Sequence, residues 1–506
     1  MSTITRRSVL RASTLGALGA AGTAVLAACG DTQIVEVEKI VEVEKLVDRI
    51  VEKPVVVEKL VDRIVEVEKV VVKTVEVPQA APITLQVSSD WTSGIRKKTF
   101  EYMKQEYEKL NPHVNVDLLF LGGGGGSTYV GYVGIVTNLM VAGSGPDVMA
   151  ELWFRPEEYH IDLGPHLGER GLDKADFWWI PDYLQDKNGA IRALPFGTYT
   201  SAFIANLNLF DAAGADVPSK GYGYPELRET AKQLRDPDKD QWGFERGTGP
   251  GWYGWADIMG GEGAKWYDPK SESSTLQTAT APNGNSVKAF SDWWGLVYKD
   301  GVAPNPAQQA AVMSSPGNAA GPSAKFFATG LIGMSGMSTG HGGAWNARVK
   351  DRFTWSMMWS PVSSHSGRRG YTNDATNISA GAVAEKRGHG EQAVDLALFW
   401  HDPIMTDFIG STMPNVPPRK SAWSSPAVTG FAPGYDIMPD MCAEAEKNGQ
   451  FRETWMGGNN SHENWPAYWR AVRGKLEDRA LKGGEDPAEM MAAADDAGTN
   501  ALRSGS

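Results

Sequence analysis

The order of segments between Ile83 and Leu152 constrains the fold most. Ile83-Thr84-Leu85-Gln86-Val87 reads as a strand. Lys97 to Leu110 sets Phe100, Met103, Tyr107 and Leu110 three or four residues apart, the spacing of an apolar helix face, and Asn111-Pro112 ends it. Val114 to Phe120 alternates as a strand does. Tyr132 to Ala142 reads as a second helix, and Asp147 to Leu152 as a short apolar strand after the turn Gly143-Ser144-Gly145-Pro146. Strand–helix–strand–helix–strand at this rhythm predicts a parallel α/β sheet, because parallel neighbours need a crossover helix. Ligands of such sheets sit at the carboxyl ends of the strands. Those ends hold Ser88-Ser89-Asp90-Trp91, the Gly122–Gly126 run, and Glu151-Leu152-Trp153.

The rest of the composition narrows the chemistry. The 506 residues allow two or three domains. Residues 81–506 carry 38 Lys+Arg against 49 Asp+Glu. An acidic body without a basic patch argues against nucleic acid as a partner, since phosphate contacts need clustered cations. Two cysteines, Cys29 and Cys442, give no disulfide framework and no Cys-rich metal site; the eight His show no ligand spacing. Asp236-Pro237-Asp238-Lys239-Asp240 lacks the central Gly and terminal Glu of a calcium loop and reads as a turn. The Gly122–Gly126 run lacks the Lys-Ser/Thr of a phosphate loop. Neither a metal nor a cofactor is expected. The 18 Trp, all between Trp91 and Trp469, outnumber the Phe and the Tyr.

The first 82 residues read as an address and a spacer. Arg6-Arg7 ahead of an Ala/Gly/Leu run looks like a twin-arginine export signal, and Leu26-Ala27-Ala28-Cys29 resembles a bacterial lipobox. This predicts a signal peptide over 1–28, lipidation at Cys29 and anchoring on the outer face of the cell membrane. Residues 29–82 follow as a low-complexity stalk. Leu46-Val47-Asp48-Arg49-Ile50-Val51 returns as Leu60 to Val65. Its apolar residues fit a coiled-coil seam capable of self-association. They also fit an extended strand, and a charged spacer without a fixed fold is a third reading.

The body resembles the extracellular solute-binding proteins of ABC importers, of the maltose-binding type. The matching stretches, in order, are Ile83–Val87 with its helix, Ser144-Gly145-Pro146-Asp147-Val148-Met149, Gly189 to Thr200, Ile204 to Gly214, Phe327 to Met334 and Trp355–Pro361. The resemblance implies a two-lobed periplasmic-binding-protein-like fold of type II. It places crossings near Leu194–Tyr199, Ile332–Met337 and Ala382–Val383. One lobe is then 83–197 plus 334–383, the other 198–333 plus 384–482, with 483–506 a flexible tail. It further implies a carbohydrate ligand, captured by closure and handed to a membrane permease without chemistry.

A sugar needs an aromatic plate for its C–H face and polar side chains for its hydroxyls. Position at strand ends and in Gly-rich loops selects Trp91, Trp153, Tyr199, Trp252 and Trp255 as plates, with core packing as the competing fate of each. Asp90 and Glu151 are the candidate hydroxyl acceptors, with helix capping or solvation as the alternative, and Asp374 is a further one. Trp178, Trp179, Trp293, Trp294 and Trp400, in helix-like segments, are expected in the core. A lipid-anchored carbohydrate-active hydrolase is the rival class; it would need two carboxylates about 5–10 Å apart across the cleft. A stalk-mounted scaffold is a third.

Overall fold

The computed structural model describes residues 81–121, 128–150, 157–181, 184–186, 188–245, 261, 267–268, 273–276, 286–305, 307–308, 327–338, 349, 351–364, 366–370, 373–412, 416–449, 464, 467–468, 470–472, 474–476 and 486–504. The predicted opening rhythm is present. Strand β1 (Ile83–Ser89) leads to helix α1 (Gly94–Leu110), β2 (Val114–Phe120), helix α2 (Thr128–Val141) and β3 (Val148–Ala150). β1 pairs with both β2 and β3 in parallel. The inward face of α1 is Thr99, Phe100, Met103 and Tyr107, so the three-to-four spacing is what lays this helix on the sheet. Leu110, the last apolar residue in that series, is 63% exposed, because the helix ends before it can turn inward.

The remaining strands are β4 (Leu194–Asn206), β5 (Trp242–Glu245), β6 (Tyr267–Asp268), β7 (Ser273–Ser274), β8 (Ile332–Ser338), β9 (Trp355–Met358) and β10 (Asn373–Ala380). The main sheet runs β2-β1-β3-β10-β4-β8-β5, with β9 also on β4. β4 is the seam. Its residues Leu194 to Thr200 pair with β10, and Ser201 to Ala205 pair with β8. The change of partner marks where the chain leaves one half for the other. Leu85, Val87, Phe100, Val148, Phe196 and Trp400 belong to one core cluster; Phe203, Phe210, Leu227, Phe244 and Met334 belong to another.

β4 carries the chain from one half to the other, whereas the segments at the other two expected crossings are placed differently. β8 stays with the second half, between β4 beyond Ser201 and β5. The return is β10, which pairs with the first half of β4 and with β3. Ala382–Val383 open a short helix, α6 (Ala382–Lys386), given α3 as Leu207–Ala213, α4 as Tyr224–Gln233 and α5 as Ser286–Trp294. Val416 exchanges backbone hydrogen bonds with Thr198, in the first half of β4, at 2.8 and 2.9 Å. Alternation identifies a strand but not its partner, so the ordering of the crossings was open to this error.

The lobe limits change with it. β8 and β9 both lie with the second half, since β8 pairs with Ser201 to Ala205 and β9 with Phe203 to Asn206. Helices α7 (Gly390–Phe399) and α8 (Pro403–Thr412), expected in the second lobe, pack on α1: Phe399 meets Tyr107 edge-on at 5.3 Å and Phe408 stacks on Tyr102 at 4.0 Å. Most of the expected tail is also helix. After α9 (Met438–Lys447) comes α10 (Pro487–Ser504), which buries Met490, Met491, Ala494, Gly498, Ala501 and Leu502. Asp486 Oδ1 accepts from Ala488 N at 2.8 Å and so caps its start. A Cβ at Gly498 would stand 2.6 Å from the Tyr468 ring, so the helix can seat only because that position is Gly. Trp179, Trp294 and Trp400 are buried as expected, although Trp178 and Trp179 lie outside helix.

One polar staple holds the first half. Arg170 reaches both oxygens of Asp395 at 2.7 Å and Asp402 Oδ2 at 2.6 Å, while the Tyr107 hydroxyl donates to Asp395 Oδ2 at 2.8 Å. Arg170→Ala leaves two neighbouring carboxylates without their cation. An expected loss of about 2 kcal/mol, allowing for the partial exposure of both acids, should appear as a lower urea midpoint with an unchanged slope.

Candidate functional site

Strand directions define where a site can form. β3 is parallel to β1, β10 antiparallel to β3 and to β4, so β4 runs with β1. β8 runs against β4, and β5 runs with β8. The carboxyl ends of β1 and β3 therefore point at the carboxyl ends of β5 and β8, and the two sets meet where β4 changes partner at Thr200 and Ser201.

Asp90 stands directly after β1. Its Oδ1 is buried and has no hydrogen-bond partner among the described residues. Burial raises the pKa of its carboxyl, and Arg96 opposes the shift without cancelling it. An acceptor held this way costs roughly 1–3 kcal/mol until something donates to it. The turn around it is fixed: Trp91 N donates to Ser89 Oγ at 3.0 Å, and Thr92 N to Asp90 O at 2.9 Å. Behind the turn, the Tyr132 hydroxyl lies 3.0 Å from Ser88 Oγ and donates to Ala150 O at 2.6 Å, tying α2 to β1 and β3.

Trp91 takes the core alternative. Its ring is 3% exposed and meets Phe100 and Phe196 edge-on at 5.8 and 5.6 Å, with the Arg96 guanidinium 5.0 Å from its centroid. It stands at the strand end predicted for a plate, yet presents its area to the core. Tyr199 and Asp374 are register partners across β4 and β10, one residue short of the crossing. The structure thus brings Asp90, Trp91, Tyr199 and Asp374 to the same end of one sheet half. Glu151, Trp153, Trp252 and Trp255 lie outside the described residues, as do Gly122–Gly126 and Cys29.

Glu245 was not singled out from the sequence. It is the last residue of β5, 1% exposed, and accepts from Ser335 Oγ at 2.8 Å. It closes the facing strand end as Asp90 follows β1. The rule that selected Asp90, an acid at the carboxyl end of a strand, reaches Glu245 only once Trp242–Glu245 is seen to be a strand. Among the described residues no group of three His, Cys, Asp or Glu is placed to hold a metal. The Asp236 turn is a short 3-10 segment, with Asp236 accepting from Asp238 N and Asp240 left-handed at φ 52°. No described helix is long and apolar enough to cross a membrane.

Residues 91–372 match the family of bacterial extracellular solute-binding proteins, and the chain belongs to that family. The fold is shared with solved structures of low identity. The ABC substrate-binding protein Lmo0181 of Listeria monocytogenes, in complex with cycloalternan, is 17% identical with a TM-score of 0.60, over 84% of this chain and 98% of that one. The GacH receptor of Streptomyces glaucescens, described unliganded and with acarbose, is 19% identical with a TM-score of 0.60, over 84% and 100%. UgpB of Mycobacterium tuberculosis, in complex with glycerophosphocholine, is 17% identical with a TM-score of 0.60, over 84% and 99%. No curated protein sequence matches the chain. The protein is thus a two-lobed α/β solute-binding protein.

Proposed function

We propose that this protein captures a carbohydrate, an oligosaccharide in particular, between its lobes and delivers it unchanged to an ABC permease. The observation that carries the reading is Asp90 Oδ1, a buried acceptor without a partner among the described residues, at a strand end that faces the opposing strand ends across β4. Sugars are dense in hydroxyl donors, which is what such an acceptor lacks. Asp90, with Glu151, Asp374 and the newly found Glu245, supplies acceptors. Trp153, Tyr199, Trp252 and Trp255 supply plates, and Trp91 backs the crossing strand.

Closure follows from differential affinity. A ligand seated on one lobe gains the other lobe's contacts only when the halves approach, and that difference shifts the population to the closed form. Cycloalternan and acarbose, the ligands of two structural neighbours, are oligosaccharide-like, which supports this class. Lipid on Cys29 holds the protein at the outer face of the cell membrane, and the stalk of residues 29–82 keeps the body clear of it. Tethering also raises the effective concentration at the permease.

Titration of the purified protein with a panel of oligosaccharides is the test. A saturable change in indole fluorescence with at least one of them is expected, together with no turnover of chromogenic glycosides. Silence toward every sugar alongside a response to glycerophosphodiesters, peptides or metal ions would overturn the carbohydrate assignment. Turnover would favour the hydrolase.

A further inference from the structure

Phe196, in the first half of β4, lies between Trp91 and Trp400. Its ring lies 5.6 Å from Trp91 and 4.5 Å from Trp400. Beyond it is a narrow crevice whose wall includes Phe196, Trp400, His401, Thr406, Pro417 and Arg419. The space there holds about one water molecule. Phe196 comes from the first crossing. Pro417 and Arg419 directly follow Val416, which is hydrogen-bonded to Thr198 of β4. Trp400, His401 and Thr406 come from the junction of α7 and α8.

Two polar atoms of residues in this wall have no hydrogen-bond partner among the described residues: Trp400 Nε1 and His401 Nε2. Their residues are 1% and 2% exposed. Leaving each unpaired costs about 1–3 kcal/mol, so two at one small crevice need an explanation. The neighbouring polar groups are already engaged. Arg419 donates to the His401 carbonyl at 2.7 Å and to Asp176 Oδ2 at 2.8 Å, and Asp176 also accepts from Ser421 N at 2.9 Å. Phe177 meets the imidazole edge-on at 5.3 Å. Burial, reinforced by the Arg419 charge, pushes the His401 pKa down to about 3, so the ring is neutral at physiological pH. A neutral imidazole keeps one nitrogen as an acceptor, whereas an indole N–H can only donate.

We propose that this crevice is a hydration site beside the first half of β4, where one ordered water accepts from Trp400 Nε1–H and donates to His401 Nε2. The water satisfies both orphan atoms and fixes the tautomer with the proton on Nδ1. It also ties the α7–α8 junction to β4 and to the segment after Val416.

A crystal structure of the intact protein at a resolution that shows waters tests this directly. Density for a water about 3 Å from both Trp400 Nε1 and His401 Nε2 is expected. A crevice closed by side chains, or one whose water touches neither atom, would overturn it. Nitrogen-15 spectra of the imidazole provide a second readout that needs no variant: an Nδ1–H tautomer supports the site and an Nε2–H tautomer rejects it. Trp400→Phe keeps the ring and removes the donor. Loss of the water and a shift of the His401 Nε2 resonance are expected there, while an unmoved water would count against the indole as its donor.

Discussion

Asp90→Ala is expected to weaken sugar binding by roughly 10- to 100-fold in titration calorimetry. The range follows from about 1.5–3 kcal/mol for a hydrogen bond to a charged acceptor, at about 1.4 kcal/mol per tenfold. Stability of the ligand-free protein should move the other way. Burial raises the folded-state pKa of Asp90 above its ordinary value, so in the window between the two the folded state holds a proton that the unfolded state has lost. Asp90 therefore costs stability at neutral pH, and the cost is relieved as pH falls through the raised value. Asp90→Asn removes the charge and should raise the thermal midpoint of the free protein at pH 7 while still lowering affinity. Hydroxyl donors favour the ionised form, so wild-type affinity should fall as pH is lowered through that raised pKa, and the fall should vanish in the Asn variant. An affinity indifferent to both substitutions and to acid would remove Asp90 from the site.

The contrast between Asp90 and Trp91 shows what the sequence could and could not convey. Strand-end position is a property of backbone topology, and the alternation in Ile83–Val87 together with the α1 spacing was enough to locate the turn that bears both residues. Which way each side chain points from that turn is decided by partners far along the chain. Phe196, with Phe100 of α1, holds Trp91 inward, and no local pattern announces a contact more than a hundred residues away. The same limit explains the crossings. β8 and β10 have similar length, and pairing with different halves of β4 is what assigns them to different halves of the fold. Helix α10 was overlooked for another reason: Gly, Asp and Asn in Pro487–Ser504 read as a tail, whereas Met490, Met491, Ala494, Ala501 and Leu502 form its buried stripe. Glu245 follows the rule that found Asp90, but the four-residue strand Trp242–Glu245 was not read from the sequence, so the rule had no strand end to act on.

Trp91→Ala should cost about 3–5 kcal/mol of stability, the range for emptying a large buried aromatic site. Denaturant unfolding followed by far-UV circular dichroism would read it, and avoids reliance on the lost indole signal. The size follows from position. The ring fills the gap between Phe100 on α1 and Phe196 on β4, so its removal loosens the helix and the crossing strand together. Trp91→Phe separates this role from that of a ligand plate. Phe keeps most of the buried area, and a ring whose work is done in the core can be shortened with sugar affinity unchanged within about threefold, a cost under 1 kcal/mol. The same exchange at a residue that carries a sugar face removes contact area and the indole N–H at once, so Trp153, Trp252 or Trp255 should lose affinity where Trp91 does not. Were Trp91→Phe to weaken binding tenfold while leaving stability untouched, the indole would have to swing out of the core when ligand enters. The edge-on contact of Trp91 with Phe196 would then be the one broken on binding, and crossing strand and site would be one device.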